Sequence, residues 1–326
     1  MNEETWLNDQ TLVETAYSRE AGAVVANDYL HINQFRHAVL TSLVPAIGVV
    51  VAIVQIFWRG LGWFEIAILA FMYFLTVTGM EVGFHRLFTH RSFTVVRPVK
   101  ILLAILGSMC GQGPVVNWVS THRRHHQHSD KELDPHSPYH PPGNPKGFWR
   151  GLVHSYVGWI YTHETSNPLH FARDVLQDPL IYRVNRLYLF WILLGLAIPA
   201  AIGGAVTQTW FGAWNGFLWG GLVRMFLVHQ ATFTVTSFCH VFGSRPFQTH
   251  EESRNNVWLI IPTFGQAWHN NHHAFPSSAI MGLKWWQVDL GAYVIHALRW
   301  LGLARNIRRP PPAVIATLEK AAHPTE

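Results

Sequence analysis

Long apolar stretches that are almost free of charge constrain this fold more than any other feature. Residues 37–58 contain no Asp, Glu, Lys or Arg, and residues 63–80 contain a single acid. About 20 apolar residues are enough for a helix that spans a membrane. A second pair follows at 187–206, which has no charge, and at 210–239, which has one arginine. The pattern predicts an all-α integral membrane protein with four transmembrane helices in two hairpins.

These stretches also divide the chain into regions. We predict an N-terminal segment at 1–36, one main domain at 37–306 and a C-terminal tail at 307–326. Within the main domain, residues 83–186 and 240–306 are expected to form a helical cap on one side of the membrane. The stretches 99–119 and 285–303 are broken by polar residues, so they are expected to lie at the interface or on the cap. The four spans are predicted at about 38–58, 62–82, 187–206 and 211–236.

The basic residues indicate which side carries the cap. Lys and Arg number 2 in residues 1–37, 12 in residues 81–186 and 8 in residues 240–326, whereas the two hairpin turns hold Arg59 alone. Because an excess of Lys and Arg marks cytoplasmic segments, we expect the cap and both termini to be cytoplasmic. Hydrophobic residues make up 49% of the chain and charged residues 13%, which excludes a disordered chain or a nucleic-acid-binding tail.

Three histidine clusters supply the polar chemistry of a chain in which 21 His outnumber 19 Asp plus Glu. In two of them the histidines are spaced i, i+3 and i+4, so they share one face of a helix. Neighbouring histidines there differ by about 100°, so one helix can serve two metal ions. The first cluster, His85 with His90, differs. On an α-helix these two residues are about 140° apart, which suits two metal centres or a helix that ends between them. The clusters are His85 with His90; His122, His125 and His126; and His269, His272 and His273.

All three clusters fall at the cytoplasmic end of the predicted spans. A helix from Leu61 to His90 is roughly 45 Å long, whereas the hydrocarbon core is only about 30 Å thick. The excess carries its histidines into the cap, and an extended fourth span does the same for His240. Imidazole suits iron, zinc, copper or nickel, and because zinc usually takes four ligands, these nine imidazoles indicate at least two ions. The Glu-x-x-His pairs of di-iron bundles do not occur in the sequence, so the predicted centre is nearly all histidine.

The other twelve histidines are predicted to be surface, loop or packing residues. Among them, His128 and His229 are the first exceptions to consider, because they are close to candidate ligands. The remaining ten are His31, His37, His136, His140, His154, His163, His170, His250, His296 and His323.

With these motifs, the sequence resembles the membrane fatty acyl desaturases of the stearoyl-CoA Δ9-desaturase type, over roughly residues 35–305. The family's three histidine boxes correspond to the clusters above. Residues around the boxes match as well: Gly83, Arg86-Leu87-Phe88, Asp134-Pro135-His136, Ser237, His240, Phe242-Gly243, Arg245-Pro246, Phe264-Gly265 and Ala274-Phe275-Pro276. Two positions depart from the pattern, since Thr236 replaces an asparagine of the animal enzymes and Gln266 replaces a common acid.

The resemblance implies a di-iron centre with nine histidine ligands that uses O2 to insert a cis double bond into a saturated acyl chain, with acyl-CoA and Δ9 as the expected carrier and position. Six aromatic residues near the boxes are candidates for the wall of an acyl channel, but ordinary packing or an interfacial belt is the favoured interpretation for each; they are Trp118, Trp149, Trp258, Trp268, Phe84 and Phe264. One iron would take His85, His90, His122, His126 and His272. The other would take His125, His240, His269 and His273.

Two questions stay open at this point. A hydroxylase or related oxygenase of lipids or alkanes on the same scaffold is the main alternative, since both reactions begin by removing a hydrogen atom. The electron source is the second question, because the chain shows no dinucleotide-binding glycine pattern and its two cysteines are too few for an iron–sulfur cluster. We therefore expect a separate ferredoxin, flavodoxin or cytochrome b5-type donor that docks on the cap.

Overall fold

A computed structural model describes residues 22–25, 28–139, 147–162 and 164–322. Most of the predicted N-terminal segment and the last four residues of the tail lie outside the described residues, as do His140, His163 and His323. Nearly all regular structure in the described part is helical. In chain order, the α-helices are α1 (Asp28–Arg59), α2 (Trp63–Thr78), α3 (Arg97–Ser108), α4 (Val115–His128), α5 (Phe148–Val153), α6 (Trp159–Thr162), α7 (Pro168–Phe171), α8 (Arg173–Leu176), α9 (Pro179–Arg186), α10 (Tyr188–Thr207), α11 (Trp210–Asn215), α12 (Arg224–Phe238), α13 (His269–Ala274), α14 (Leu290–Trp300) and α15 (Pro312–Ala322).

Shorter elements connect these helices. Two antiparallel two-stranded ribbons pair β1 with β3 and β2 with β4. The strands are β1 (Val24–Val25), β2 (Thr94–Val95), β3 (Thr165–Ser166) and β4 (Ala304–Arg305), and a 3₁₀ turn spans Val257–Leu259. Wider π-helical turns follow α2, α5 and α11, and they are π1 (Gly79–Thr89), π2 (His154–Gly158) and π3 (Gly216–Val223).

Three helical segments among the described residues are long and apolar enough to cross a membrane: α1, the continuous helix formed by α2 and π1, and α10. The spans predicted at 38–58, 62–82 and 187–206 lie within them, apart from a residue or two at their ends. Helix α1 begins ten residues before the predicted span, and its 32 residues extend roughly 48 Å. The combined α2–π1 helix has 27 residues and passes the end of its predicted span, as expected for a helix that carries histidines into the cap.

The fourth predicted span, 211–236, falls in the helical run made of α11, π3 and α12. This run contains the polar residues Asn215, Arg224 and His229. Arg224 is fully buried and donates to the carbonyls of Met109 (2.7 Å) and Gly195 (3.1 Å), so it faces protein. The fourth span and the arrangement in two hairpins therefore stay predictions.

The main hydrophobic core lies where π1 meets α3, α4, α9 and α14. The helices π1 and α3 approach so closely that a Cβ on Gly79 would lie 2.2 Å from the backbone nitrogen of Gly107. The stretch predicted at 99–119 forms α3 and the start of α4, and the stretch at 285–303 contains α14. This packing holds π1 and α4, which carry the first two histidine clusters, against each other.

Candidate metal centre

The nine predicted histidines come from four separate elements. His85 lies in π1 and His90 directly follows it, while the second cluster lies on the last turns of α4. The third cluster forms the short helix α13. His240 follows α12, where its backbone N–H donates to the carbonyl of Ser237 at 3.1 Å. All nine side chains converge in one region of the protein.

The π-helix decides where the first pair points. In π1 the backbone N–H of His90 donates to the carbonyl of His85, five residues earlier, at 3.2 Å. This wider turn brings residues five apart onto one face, and the two ring centroids lie 4.9 Å apart. The expectation of 140° between them holds only for an α-helix, so both histidines join the same group.

The nine histidines form two groups, of five and four, and in each group the candidate ligand atoms lie within 4.8 Å of one another. The first group is His85, His90, His122, His126 and His272, and the second is His125, His240, His269 and His273. This is the division that the family resemblance implies. His125 and His126 are adjacent on α4 but face different groups, as their 100° separation allows.

The spacing of the ring nitrogens fits ligands around a shared ion. The Nε2 atom of His272 lies 3.1 Å from Nε2 of His85 and 2.9 Å from Nε2 of His126, and in the second group Nε2 of His240 lies 3.0 Å from Nε2 of His269. Two nitrogens that each lie about 2.1 Å from one ion are about 3.0–3.4 Å apart at ordinary coordination angles. Among the described residues, the buried Nε2 atoms of His90 and His125 have no hydrogen-bond partner, which also suits metal ligands.

Burial controls the protonation of these rings. Desolvation, followed by neighbouring histidines, holds the pKa of His122, His126 and His272 well below the usual value. Neutral imidazoles keep the lone pair that a metal requires. Burial also lowers the pKa of His240, but the negative charges of Asp130 and Glu251 outweigh it and raise that pKa to about 9.

Four buried carboxylates orient the rings from outside, and the sequence reasoning assigned them no role. Nδ1 of His85 lies 3.1 Å from Glu81, Nδ1 of His240 lies 2.9 Å from Asp130, and Nδ1 of His273 lies 3.5 Å from Glu251. Both oxygens of Asp134 lie 3.0 Å from Nδ1 of His125. A carboxylate on Nδ1 fixes the tautomer and turns Nε2 toward the metal. Glu81 lies four residues before His85, a spacing that the sequence could have indicated.

An ion pair holds the loop that precedes α13. The guanidinium of Arg86, next to His85, donates to Asp289 at 2.7 and 3.0 Å and to the carbonyl of Phe264 at 3.3 Å, and both charged side chains are buried. Gly265 has φ +96°, and a Cβ there would lie 2.6 Å from Asp289. Glycine is therefore required at this turn.

A cavity of about 110 Å³ adjoins the histidines. Its lining includes three of the nine histidines, His122, His125 and His269, together with residues of α1 and α12 such as His37 and Thr236. Thr236, which stands where the animal desaturases have an asparagine, donates to the carbonyl of Ser155 at 2.8 Å. Three of the other twelve histidines line this cavity, namely His37, His136 and His229. His229 is one of the two exceptions considered from the sequence, whereas His37 and His136 were predicted to be surface, loop or packing residues.

The six aromatic residues considered for the channel wall fall into three sets. Trp118 lines the cavity. Trp149 and Trp258 are 73% and 88% exposed and do not line it. The other three are buried in hydrophobic clusters rather than among the residues lining the cavity, namely Phe84, Phe264 and Trp268.

The fold and the site define a class: a helical membrane protein with two adjacent groups of buried histidines that are able to bind metal, next to a cavity. The model of the family described as "Fatty acid desaturase" matches residues 61–306. The chain therefore belongs to the fatty acid desaturase family, and it is an oxidoreductase that acts on acyl chains.

Three relatives illustrate the range of this family. The chain is 45% identical to "Hex-5-enoyl-[acyl-carrier protein] acetylenase" of Moorena producens (strain JHB), over 89% of this chain and 91% of the relative. It is 36% identical to "sn-1 stearoyl-lipid 9-desaturase" of Anabaena variabilis, over 76% and 85%. It is 34% identical to "Icosanoyl-CoA 5-desaturase" of Limnanthes douglasii, over 73% and 63%.

Proposed function

We propose that the protein is an O2-dependent fatty acyl desaturase that inserts a cis double bond at a di-iron centre held by the nine histidines. The observation that carries the proposal is the pair of histidine groups, of five and four, whose ligand atoms lie within 4.8 Å in each group. Iron bound there would supply the oxidising power that no side chain offers. The carboxylates on Nδ1 hold the rings in place, and the surrounding protein excludes water.

The cavity beside the histidines is the proposed binding site of the acyl chain. Its lining includes histidines of both groups and, on α12, residues from His229 to Thr236. These two residues lie seven positions apart, so this wall is roughly 10 Å long along the helix. Most polar side chains along it already have protein partners, such as His229 on the carbonyl of Cys110 at 2.9 Å. An acyl chain can therefore lie against them without leaving them unpaired.

The acyl carrier is the finer part of the proposal. The sequence resemblance makes acyl-CoA with Δ9 regiochemistry the first substrate to test. The relatives are named for three carriers, since one acts on an acyl-carrier-protein substrate, one on a lipid and one on a CoA ester. The assay should therefore supply the same saturated chain on each carrier, with the product analysed by mass spectrometry after hydrolysis.

Product mass separates the competing activities. Desaturation gives an acid two mass units lighter than the substrate, whereas hydroxylation gives one sixteen units heavier. The 45% identical relative is named as an acetylenase, so a terminal alkene substrate is offered in parallel. If only the alkene substrate gives a product two mass units lighter, the result supports an acetylenase. If any substrate gives a product sixteen mass units heavier, the result supports the hydroxylase and refutes the desaturase.

The metal assignment has its own test. His125→Ala and His272→Ala remove one ligand from each group, and each is expected to lower bound iron and abolish product. His296→Ala is the matched control, because His296 is exposed on α14. A haem absorption band, or full activity in either ligand variant, would refute the centre.

The proposal includes the topology and the electron donor. We propose four spans in two hairpins, with the cap and both termini cytoplasmic, and electrons from a separate ferredoxin, flavodoxin or cytochrome b5-type protein. The 12 and 8 basic residues of segments 81–186 and 240–326 support this orientation. Labelling of single cysteines placed in the hairpin turns and in the cap tests it, and labelling of both on the same side would contradict it.

A further inference from the structure

A second, larger cavity lies outside the metal centre. It measures about 470 Å³ and forms between the end of π1, α3 and the α8–α9 segment. This volume falls within the roughly 300–1,000 Å³ of small-molecule sites, which are mainly apolar with a few polar groups. Its floor contains Leu87, Phe88, Phe93, Val175 and Ile181, all buried.

Two ion pairs line the same groove. Arg91 contacts Asp174 at 2.8 Å, and Lys100 contacts Asp178 at 2.5 Å. The Arg91 side chain is 60% exposed and the Lys100 side chain 36%. Both cations are therefore accessible to a ligand. Exposed ion pairs of this kind contribute little to folding stability, so a ligand can replace them at a small cost.

Each carboxylate keeps another partner when its exposed cation turns away. The buried guanidinium of Arg123 donates to both oxygens of Asp174, at 2.7 and 3.1 Å. Oδ1 of Asp178 caps α9 by accepting from the backbone N–H groups of Leu180 and Ile181, whereas Lys100 uses the other oxygen. Arg91 and Lys100 can therefore bind an anion without leaving a carboxylate unpaired.

The groove lies beside the ends of two candidate membrane-spanning helices, since Leu87 and Phe88 belong to the last turn of the α2–π1 helix. Its wall includes Ile181 on α9, and α9 ends at Arg186, two residues before the candidate spanning helix α10 begins. On the neighbouring helix α3, Leu102 is 52% exposed. An apolar groove with a cationic rim at this position matches an acyl tail attached to a phosphate.

We propose that this groove binds an anionic phospholipid, with one acyl chain over Phe88 and Ile181 and the phosphate between Arg91 and Lys100. This site is separate from the metal centre and does not depend on the proposed activity. Because Arg123 keeps Asp174 in place, occupation of the groove is expected to leave the iron content unchanged.

Lipid binding to the purified, delipidated full-length protein tests the proposal by native mass spectrometry, with phosphatidylglycerol and phosphatidylcholine of identical chains as probes. The variant R91Q/K100Q removes the cationic rim. Thr94→Trp fills the groove from an exposed position. The control K131Q/R299Q removes the same two charge types from exposed sites elsewhere.

We expect one tightly retained phosphatidylglycerol in the parent and the control. Affinity should fall by about tenfold or more in R91Q/K100Q, since each basic residue near anionic lipid contributes on the order of fivefold, and Thr94→Trp should also lose the lipid. Unchanged iron and gel-filtration behaviour show that the variants are folded. Equal retention of phosphatidylcholine, equal binding by all variants, or displacement by inorganic phosphate would overturn the proposal, the last by indicating a free-phosphate site.

Discussion

Replacing Asp134 by asparagine tests how far the centre depends on residues that never touch a metal. Asp134 is buried and accepts four contacts: two from Nδ1 of His125, one from the backbone N–H of Asp130 at 2.9 Å and one from that of His136 at 3.1 Å. The asparagine side chain has one acceptor oxygen and one donor NH2 group. Whichever way its amide turns, one of the two backbone N–H groups faces a donor.

Two losses follow from this geometry. A buried N–H without an acceptor costs about 1–3 kcal/mol of folding free energy. Loss of the carboxylate on His125 lowers metal affinity by about 10–100-fold, as for other residues that orient a ligand. Because His125 belongs to the group of four, the iron deficit should be confined to that group, at about one ion per chain.

The assay combines iron quantification after dialysis against a graded chelator with thermal unfolding of the purified protein in detergent. Asp178→Asn is the matched control, because Asp178 caps α9 and asparagine caps helices equally well. If Asp134→Asn keeps its iron at every chelator concentration that the parent withstands, the carboxylate does not hold His125 for the metal.

Three further predictions follow from the site and the core. His272→Ala should abolish product and lower iron in the group of five, whereas retained turnover would contradict the ligand assignment. Arg86→Met should cost about 3–5 kcal/mol in unfolding measurements because it leaves the buried Asp289 carboxylate without its counter-ion, while three backbone N–H groups still donate to it. Arg86→Met with Asp289→Asn, which removes the charge and keeps a capping side chain on α14, should recover part of this loss; no recovery would argue against an electrostatic cause. Ala38→Phe narrows the cavity beside α1 and should shift products to shorter acyl chains, whereas Val50→Phe, exposed on the same helix, should leave the product profile unchanged.

Sequence periodicity predicted the candidate ligands better than the carboxylates that contact them. The i, i+3, i+4 spacing predicted a helix that carries His122, His125 and His126, and the structure has this helix as α4. The same rule misplaced His85 relative to His90, because it assumes 3.6 residues per turn and π1 is wider. A π-helix depends on tertiary packing, here the close approach of α3, so the local pattern does not contain it.

The fourth predicted span shows a second limit of prediction from composition. Arg224 and His229 make α12 look poorly suited to lipid, yet both are buried against protein carbonyls. Two of the carbonyl groups that pair with these side chains belong to the turn after α3, more than a hundred residues earlier in the sequence. The carboxylates Asp130 and Glu251 escaped notice for the same reason, since they meet His240 only in the folded chain.

Residues between the histidines explain why the boxes form one unit. Arg123, inside the second box, donates to the carbonyls of Phe88 (2.6 Å) and Thr89 (3.0 Å) in the first. Asn271, inside the third box, donates to the carbonyl of Met281 and accepts from Asn255. Each box therefore supplies candidate metal ligands and also polar contacts that position the chain around it. Since α4 serves both groups through adjacent histidines, a shift of this one helix displaces a ligand in each, and Arg123 ties α4 to π1 against such a shift.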